Sequence, residues 1–323
     1  MICLDAFKNV NITRDNGELH ISPCCIAPLK KVNQLDFQND QYLVAVRDAW
    51  SKQQWPDACV KCLKQEQQGL PSRRQHSNQW YKDHGVDQAM PELIRLDYWV
   101  GDICNLACVM CGPWASSVWK QELNLPQKRF NNNQYWQELD LSRLQYVHFH
   151  GGEPLLSKEH RDFLAAIPNK QQVHVYYNTN ATIQADNDLR DLWNEFRLIE
   201  LDFSIDAIGD QFNYIRYPAD WHAVSENLTW YREHAGHNCL FAVTTVVSVL
   251  NQDHVPELAA WLQSNFASSR FGDPVEHRLQ PCEGVLAVDS VPEHTVKYLD
   301  QLDLRRQLDW RKLFPSAAEK LLS

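Results

Sequence analysis

The sequence lacks three features that would assign the chain to common classes of protein. Of its 323 residues, 31 are Lys or Arg and 41 are Asp or Glu, so the formal net charge is −10. Without a basic excess, we do not expect a duplex nucleic-acid binder held mainly by phosphate contacts. The amino-terminal letters MICLDAFKNV show no basic segment followed by an apolar one, which predicts no secretory signal. No apolar run approaches the roughly 20 residues of a membrane span, so we expect a cytoplasmic protein without a membrane partner.

Cysteine is the residue type that stands out among those present. The chain has ten cysteines, and eight of them lie within the first 111 residues. Thiols stay reduced in the cytoplasm, where clustered cysteines indicate metal ligands or redox groups before disulfides. The distribution therefore sets aside a small secreted disulfide scaffold.

From about residue 94 onward, short β-rich apolar runs alternate with helical patterns. Strands are predicted at residues 94–99, 146–149, 173–177, 199–205, 240–247 and, more weakly, 276–279. Helices are predicted at residues 115–123, 158–166, 185–195, 222–233 and 256–265, and the tail from 294 to 323 is helical and amphipathic. This alternation is typical of βαβ units with a mainly parallel sheet. Before residue 90 we predict a hairpin turning at Asn16-Gly17 and helices at 42–54 and 61–69.

Cys104, Cys108 and Cys111 form a C-x3-C-x2-C motif directly after the first strand of this alternation. Three soft thiolates on one loop can meet on one metal centre, and they select zinc or an iron–sulfur cluster. Structural zinc takes four ligands, commonly as two separated pairs, and no fourth Cys or His stands at a matching spacing. A four-iron cluster held by three cysteines leaves one iron open to another ligand. Buried cysteines on an ordinary loop are the remaining interpretation.

With this motif the sequence resembles the radical S-adenosylmethionine (radical SAM) enzymes. The resemblance covers about residues 92–280 and implies an α/β fold, a partial (β/α)6 barrel. It also implies that Cys104, Cys108 and Cys111 hold a [4Fe–4S] cluster whose open iron binds the methionine part of S-adenosylmethionine. In this family one electron from the cluster cleaves that cofactor to a 5′-deoxyadenosyl radical, which abstracts hydrogen from the substrate. Trp114 and Trp119, on the next predicted helix, would shield the cluster from water.

A second motif follows the second predicted strand and is similar to the family's GGEP motif. It comprises Gly151, Gly152, Glu153 and Pro154. Glycines let the backbone approach a ligand closely, and a carboxylate can accept a hydrogen bond from an ammonium group. The resemblance implies that Gly151, Gly152 and Glu153 bind the amino group of the methionine part, and a plain turn is the alternative.

Polar residues end the third and fourth predicted strands. Asn180 is similar to the family's asparagine near the cofactor, and Ser204 and Asp206 are similar to its S-x-D ending. The resemblance implies that all three contact S-adenosylmethionine. Arg216 ends a segment similar to the family's Y-x-R turn and could pair with a carboxylate of cofactor or substrate. Helix capping is an equal alternative for any one Asn or Asp taken alone. The fifth strand lacks a glycine-rich signature, so its cofactor contact is unassigned.

Five cysteines near the amino terminus form a second constellation, which comprises Cys3, Cys24, Cys25, Cys59 and Cys62. On spacing alone, a zinc-ribbon-like site is the preferred interpretation. Beside the first motif, the order C-x13-G-x6-C followed by C-x2-C resembles the twitch domain, the short form of the SPASM auxiliary-cluster module. The resemblance implies an auxiliary [4Fe–4S] cluster for electron transfer, held by Cys3, Cys24, Cys59 and Cys62, with Cys25 as the alternative to Cys24. Gly17 would be the glycine of that pattern.

Three residues are candidates for catalysis. His150 could be an acid–base group if its strand face lines the barrel, although a structural histidine is the preferred interpretation. Arg216 could bind a carboxylate at the same site. Cys282 follows the sixth predicted strand and could be a thiol at the barrel mouth, although it and Cys239 are most simply small buried residues.

The predicted function is that of a radical SAM enzyme, an oxidoreductase or C–H functionalising enzyme acting on a peptide or small-metabolite substrate. Its expected partners are that substrate and a reductant such as flavodoxin or ferredoxin. Two alternatives stay open, a radical SAM enzyme that modifies tRNA and a non-catalytic zinc-binding protein. We further predict a twitch module over residues 1–90, a barrel over 91–285 and a helical extension over 286–323 that covers the barrel.

Overall fold

The structure is a computed structural model that describes residues 2–15, 18–127 and 135–323. The predicted hairpin residues Asn16 and Gly17 therefore lie outside the described residues. Among the residues that are described, no helix combines the length and the hydropathy needed to cross a bilayer.

The strands and helices follow each other along the chain with short connections. The strands are β1 (Asn9–Asp15), β2 (Glu18–Ser22), β3 (Lys30–Val32), β4 (Arg95–Trp99), β5 (Tyr146–His150), β6 (His174–Thr179), β7 (Leu198–Ser204), β8 (Cys239–Val247) and β9 (Glu276–Pro281). The helices are α1 (Asp5–Lys8), α2 (Gln41–Ser51), α3 (Val60–Gln67), α4 (Arg73–Asp83), α5 (Ser117–Glu122), α6 (Glu159–Ala166), α7 (Asn187–Trp193), α8 (Gly209–Ile215), α9 (Trp221–His234), α10 (Val255–Asn265), α11 (Pro292–Arg306), α12 (Trp310–Leu313) and α13 (Pro315–Leu322).

Side-chain caps fix where several of these helices begin. Ser72 Oγ accepts a hydrogen bond from Gln75 N, and Ser72 N donates one to the side-chain oxygen of Gln75; this capping box starts α4. Ser116 caps α5 by accepting from Trp119 N. Asp220 does the same for α9 by accepting from the backbone of Ala223. Each cap satisfies a backbone N–H that has no partner inside its own helix.

The chain divides into two compact units, and the first is drawn from Met1–Gly101, Lys128–Tyr176 and Glu195–Arg197. Its strands follow the order β3-β2-β1-β4-β5. β2 pairs antiparallel with both β1 and β3, whereas β1 with β4 and β4 with β5 are parallel pairs. The amino-terminal hairpin therefore shares a sheet with the first strand of the β/α alternation.

The two faces of β4 and β5 differ in chemistry, because side chains alternate along a strand. Tyr98 and Phe149 are buried and meet Phe163 of α6 with ring centroids 5.3 and 5.9 Å apart. Asp97 and His148 are register partners on the opposite face. One face is thus packed against a helix, and the other carries ionisable groups.

The second unit is drawn from Asp102–Gln127, Tyr177–Asn194 and Leu198–Ser323. Its strands β7, β8 and β9 are parallel neighbours. The carboxyl-terminal helices α11, α12 and α13 belong to this unit and bury Trp310 and Phe314 completely. Phe314 packs against Tyr214 of α8 at a ring-centroid distance of 5.4 Å.

The observed fold is mixed α/β with parallel strand pairing, which confirms the predicted fold class. Each predicted strand between residues 94 and 279 is present, with ends shifted by no more than two residues. The short elements α1, β3 and α8 and the longer α4 were not predicted. The division into domains at residues 90 and 285 stays a prediction.

Candidate functional site

The loop that carries Cys104, Cys108 and Cys111 follows β4 and lies in the second unit, where all three side chains are half-buried. Its backbone is anchored at two points to the end of α8, since Val109 N donates to Ile215 O at 2.8 Å and Ala107 N to Tyr217 O at 2.6 Å. These bonds give a loop without regular secondary structure a defined course.

Helix α5 holds the same loop through two of its side chains. Ser117 Oγ donates to Cys104 O at 2.9 Å, and the indole Nε1 of Trp119 donates to Cys108 O at 2.9 Å. Trp119 is buried, in agreement with its predicted position beside the cysteines, whereas Trp114 is 67% exposed. Trp119 is therefore enclosed beside the loop and Trp114 is not, while a role in shielding a cluster stays a prediction.

Helix α11, in the carboxyl-terminal part of the chain, also forms hydrogen bonds to the loop. The sequence did not predict these contacts. Tyr298 donates its hydroxyl to Val109 O at 2.6 Å, and Arg306 Nη2 donates to Ala107 O at 2.8 Å. Arg306 also pairs with Glu122 at 3.0 Å. Tyr and Arg at these positions have no local sequence signal, because their partners lie about 190 residues away.

Asn180 lies beside the first cysteine. Its Nδ2 donates to Asn105 Oδ1 at 2.9 Å and lies 3.9 Å from Cys104 Sγ. Its Oδ1 accepts from Thr182 N at 3.0 Å, which fixes which way the amide points. The structure thus brings Asn180 to the cysteine loop, while its contact with a cofactor stays a prediction.

Arg216 and Asp206 lie beside the second cysteine. Arg216 Nε donates to Asp206 Oδ2 at 2.6 Å, and its Nη1 lies 4.0 Å from Cys108 Sγ. Asp206 is fully buried, and its other oxygen accepts from Val246 N at 2.8 Å. Both carboxylate oxygens are therefore engaged by the protein. Burial by itself would lower the pKa of Arg216. The charge of Asp206, its hydrogen bond and the nearby Cys108 and Cys111 together outweigh burial, so the pKa lies above its ordinary value.

The three cysteines fit the role of cluster ligands chemically. Burial raises the pKa of Cys108 to about 12 and also raises the pKa of Cys111, although the nearby Arg216 opposes the effect. A thiol with a raised pKa still gives up its proton when a metal takes the proton's place. Soft sulfurs in a desolvated loop suit iron–sulfur chemistry.

The GGEP segment lies in the first unit, directly after β5. Gly151 has φ +123°, and a Cβ at this position would stand 2.7 Å from Gly101 O. Gly152 N donates to the same oxygen at 2.8 Å. The close approach of two backbone segments therefore requires glycine at position 151 even before a ligand is considered. Glu153 is buried, and its Oε1 accepts from Leu155 N at 3.1 Å.

The remaining candidates differ in how the structure surrounds them. Ser204 ends β7 and is half-buried. Cys282 is buried after β9, with its Sγ 3.5 Å from Glu283 O, and burial raises its pKa to about 11. Cys239 is buried at the start of β8. His150 keeps an Nε2 atom that is buried without a hydrogen-bond partner, and burial lowers its pKa to about 3.

Four of the amino-terminal cysteines line one small cavity in the first unit, and they are Cys3, Cys24, Cys59 and Cys62. Cys25 does not line it. Instead, Cys25 Sγ accepts from Arg73 Nη1 at 2.9 Å. Cys24 thus lies with the other three thiols and Cys25 lies apart from them, and which of the two binds a metal stays a prediction.

The four thiols also fit a metal cluster chemically. Cys3, Cys24 and Cys62 are buried, and burial raises the pKa of Cys59 to about 11. Across the described residues, no three Cys, His, Asp or Glu side chains converge closely enough to hold a single metal ion.

Arg73 and Asp97 form a buried ionic centre that sequence reasoning missed. Arg73 lines the four-cysteine cavity. Its guanidinium pairs with the carboxylate of Asp97 at 2.9 Å and with that of Asp5 at 3.2 Å. Asp97 Oδ1 also faces His148 Nδ1 at 3.3 Å. Burial tends to raise the pKa of Asp97, but Arg73 and His148 lower it more, so the pKa lies well below its ordinary value. The sequence did contain a signal for this centre. Asp97 stands among the apolar residues of β4, and a buried carboxylate needs a charged or hydrogen-bonding partner.

Comparison with known proteins gives a family for this chain. Residues 99–262, half of the chain, match the model of the radical SAM superfamily. The matched segment starts at the end of β4 and includes the cysteine loop, the GGEP segment, β7 and β8. The chain belongs to the radical SAM superfamily. No curated protein matches the chain in sequence.

Several solved structures are similar to this chain at low sequence identity. One is anSMEcpe with bound AdoMet, at 16% identity and a TM-score of 0.44, with 65% of this chain and 60% of that chain covered. A second is Streptococcus suis SuiB bound to S-adenosylmethionine, at 11% identity and a TM-score of 0.44, with 92% and 69% covered. A third is TYW1 with a lysine-pyruvate adduct bound, at 14% identity and a TM-score of 0.36, with 65% and 70% covered. This chain thus spans 60% of the length of the first of these proteins.

Proposed function

We propose that this protein reductively cleaves S-adenosylmethionine at a [4Fe–4S] cluster held by Cys104, Cys108 and Cys111. The observation that carries the proposal is the set of polar side chains at these sulfurs, with Asn180 Nδ2 at 3.9 Å from Cys104 and Arg216 Nη1 at 4.0 Å from Cys108. When bound, the cluster and S-adenosylmethionine supply a one-electron cleavage that yields a radical able to abstract hydrogen from a C–H bond.

Arg216 and Asn180 contribute to this chemistry by holding the loop and its charge. The guanidinium of Arg216, fixed by Asp206, places a positive charge beside a thiolate ligand and partly neutralises it. The amide of Asn180 is fixed by Thr182 and presents an N–H toward Cys104. Donors near a ligating sulfur stabilise the more negative, reduced state of a cluster.

Other residues of the chain would bind the cofactor itself. In the proposal, the backbone of Gly151 and Gly152 and the carboxylate of Glu153 bind the amino group of the methionine part. Ser204 is proposed to contact the same cofactor. The buried position of Glu153 supports this role, because a desolvated carboxylate binds an ammonium group strongly.

We further propose that the protein holds an auxiliary [4Fe–4S] cluster at the cavity lined by Cys3, Cys24, Cys59 and Cys62. Four protein thiolates would complete the coordination of such a cluster. In the proposed function it carries electrons and leaves no open iron for substrate. The substrate is a peptide or a small metabolite, and the reaction is a net oxidation or a C–H functionalisation.

The test is anaerobic reconstitution followed by iron, sulfide and product analysis. The unchanged protein is expected to bind about eight irons and to release 5′-deoxyadenosine from S-adenosylmethionine with dithionite. Cys104→Ala is expected to lose about half of the iron and all of the 5′-deoxyadenosine formation. Cys239→Ala, which removes a buried thiol elsewhere in the same unit, is the matched control and should retain both.

Two results would contradict the proposal. Zinc bound without acid-labile sulfide would assign the cysteines to a structural metal site. Cleavage of S-adenosylmethionine that survives Cys104→Ala at full rate would remove this loop from the reaction.

A further inference from the structure

A buried hydrogen-bond donor at the four-cysteine cavity has no partner. Trp50, in the last turn of α2, is 1% exposed, and its Nε1 makes no hydrogen bond within the described part of the chain. The same side chain lines the cavity together with the four cysteines. A buried N–H without a partner costs about 1 to 3 kcal/mol, so its presence at a cavity indicates a group that binds there.

Packing fixes the position of this indole. The ring of Trp50 lies against that of Trp55 with centroids 4.9 Å apart. It also belongs to a buried cluster with Cys3 and Phe7, and Cys59 packs against this cluster. Because side chains in a close-packed interior have little freedom to turn, the N–H of Trp50 cannot reach a partner elsewhere.

The sulfur that this N–H faces is that of Cys59. Burial raises the pKa of Cys59 to about 11, and the side chain of Trp50 opposes this rise as a donor to the thiolate. A thiolate accepts a hydrogen bond more strongly than a thiol does. The donor and the sulfur therefore match best once a metal has displaced the thiol proton.

The other side-chain cations at the cavity are already engaged or exposed. Arg73 and Arg74 line it, but each nitrogen of their guanidinium groups donates to another group of the first unit. Carboxylates also neutralise both arginines. Lys61 is exposed to solvent. The indole N–H of Trp50 is thus the buried donor that stays available to a ligand sulfur.

We propose that Trp50 Nε1 donates a hydrogen bond to the Cys59 thiolate and thereby raises the reduction potential of the four-cysteine cluster. The inference rests on the auxiliary cluster of the proposed function. One added electron places more negative charge on the sulfurs of such a cluster, and a donor to a ligand sulfur stabilises that state. No covalent bond forms or breaks at Trp50, which is a positioning residue acting through Cys59.

The first experiment measures the potential of the four-cysteine cluster alone. In the Cys104→Ala background this is the cluster expected to remain, and electron paramagnetic resonance follows its reduction in a redox titration. Adding Trp50→Phe is expected to lower the ratio of reduced to oxidised cluster about tenfold at a fixed solution potential, which is a fall in midpoint potential of about 59 mV. Trp55→Phe is the matched control, because Trp55 lines the same cavity but is only half-buried, and it should change this ratio by less than about twofold.

A second measurement detects the hydrogen bond without relying on a smaller side chain. Pulsed electron paramagnetic resonance of reduced Cys104→Ala, made with tryptophan isotope-labelled at the indole nitrogen, should show a magnetic coupling to that nitrogen. The coupling should disappear with Trp50→Phe and persist with Trp55→Phe. If Trp50→Phe does not retain the cluster, β-(3-benzothienyl)alanine in place of Trp50 keeps the ring shape without the N–H and should give the same fall in potential.

The possible outcomes separate this inference from the proposed function. If Cys104→Ala binds neither iron nor sulfide, the auxiliary cluster is absent and both fail. If the cluster is present, the inference alone fails when removal of the Trp50 N–H leaves the potential unchanged or lowers it no more than Trp55→Phe does. A nitrogen coupling that persists in Trp50→Phe would assign the donor to another indole and would also overturn it.

Discussion

At the scale of single residues, the strongest electrostatic feature of the first unit is Arg73. Its guanidinium is shared between Asp5 and Asp97, two carboxylates that are almost completely buried. Asp97 also accepts from Asn9 Nδ2 at 2.9 Å. Buried carboxylates remain ionised only when partners replace the water they lose, so this part of the fold depends on Arg73.

Removing the charge of Arg73 is therefore expected to cost far more than removing that of its neighbour. Arg73→Met should lower the free energy of unfolding by about 3 kcal/mol or more, because Asp97 loses its main partner. Arg74→Met breaks a half-buried pair with Glu66 and should cost about 1 kcal/mol. Urea unfolding of the cluster-free proteins measures both differences.

A second substitution tests the physical reason for that cost. Asp97→Asn in the Arg73→Met background removes the unpaired charge, so it should recover part of the lost stability. Equal costs for Arg73→Met and Arg74→Met, or no recovery with Asp97→Asn, would show that Asp97 is not held ionised by Arg73.

At the scale of secondary-structure elements, α11 is the support of the cysteine loop. Tyr298 and Arg306 each donate a hydrogen bond to a loop carbonyl between the first and third cysteines. Arg306 also lies over the Trp119 ring, with its Cζ 4.8 Å from the ring centroid. From the sequence we predicted a helical tail that covers the barrel. The observed contacts show that α11 of this tail supports the cysteine loop.

Loss of these bonds should loosen the cluster and leave the fold intact. Tyr298→Phe/Arg306→Met is expected to shorten the retention of iron at the cysteine loop about tenfold in a challenge with a chelator, because it removes both bonds to the loop carbonyls, of roughly 1 kcal/mol each, together with the pair between Arg306 and Glu122. Tyr214→Phe is the matched control, since it removes a 2.8 Å bond to Asp303 of α11 that does not involve the loop. The role of α11 is refuted if the control and the double variant release iron at the same rate.

The same scale shows why some elements could be predicted and others not. Strands β4 to β8 combine buried apolar runs with flanking turns, so local pattern was sufficient. Helix α4 has a low apolar content, so hydrophobic periodicity does not predict it. The capping box at Ser72 and Gln75 is the local signal that could have predicted its start. The parallel pairing of β1 with β4 joins residues about 85 apart and leaves no local trace. At the candidate site, sequence motifs were sufficient to find the cysteines. Arg73, Tyr298 and Arg306 could not be found in this way, because their partners are distant in the sequence.

At the scale of the whole molecule, the ten cysteines separate by unit. The first unit contains the five amino-terminal cysteines, and the second contains the cysteine loop together with Cys239 and Cys282. Within the first unit, Cys25 alone is bonded to Arg73 and stands apart from the cavity. Two sites that share no ligand should gain and lose metal independently.

This independence predicts how the losses combine. Cys59→Ala and Cys104→Ala should each remove about half of the iron and sulfide, and the double variant should remove nearly all of both. Added S-adenosylmethionine should change the electron paramagnetic resonance spectrum of reduced Cys59→Ala and leave that of Cys104→Ala unchanged, because in the proposed function only the cluster on three cysteines would have an open iron. Cys25→Ala, the control, should keep both clusters, since its thiol does not line the cavity. If Cys25→Ala loses a cluster while Cys24→Ala keeps both, the ligand is Cys25 and the cavity is not the auxiliary site.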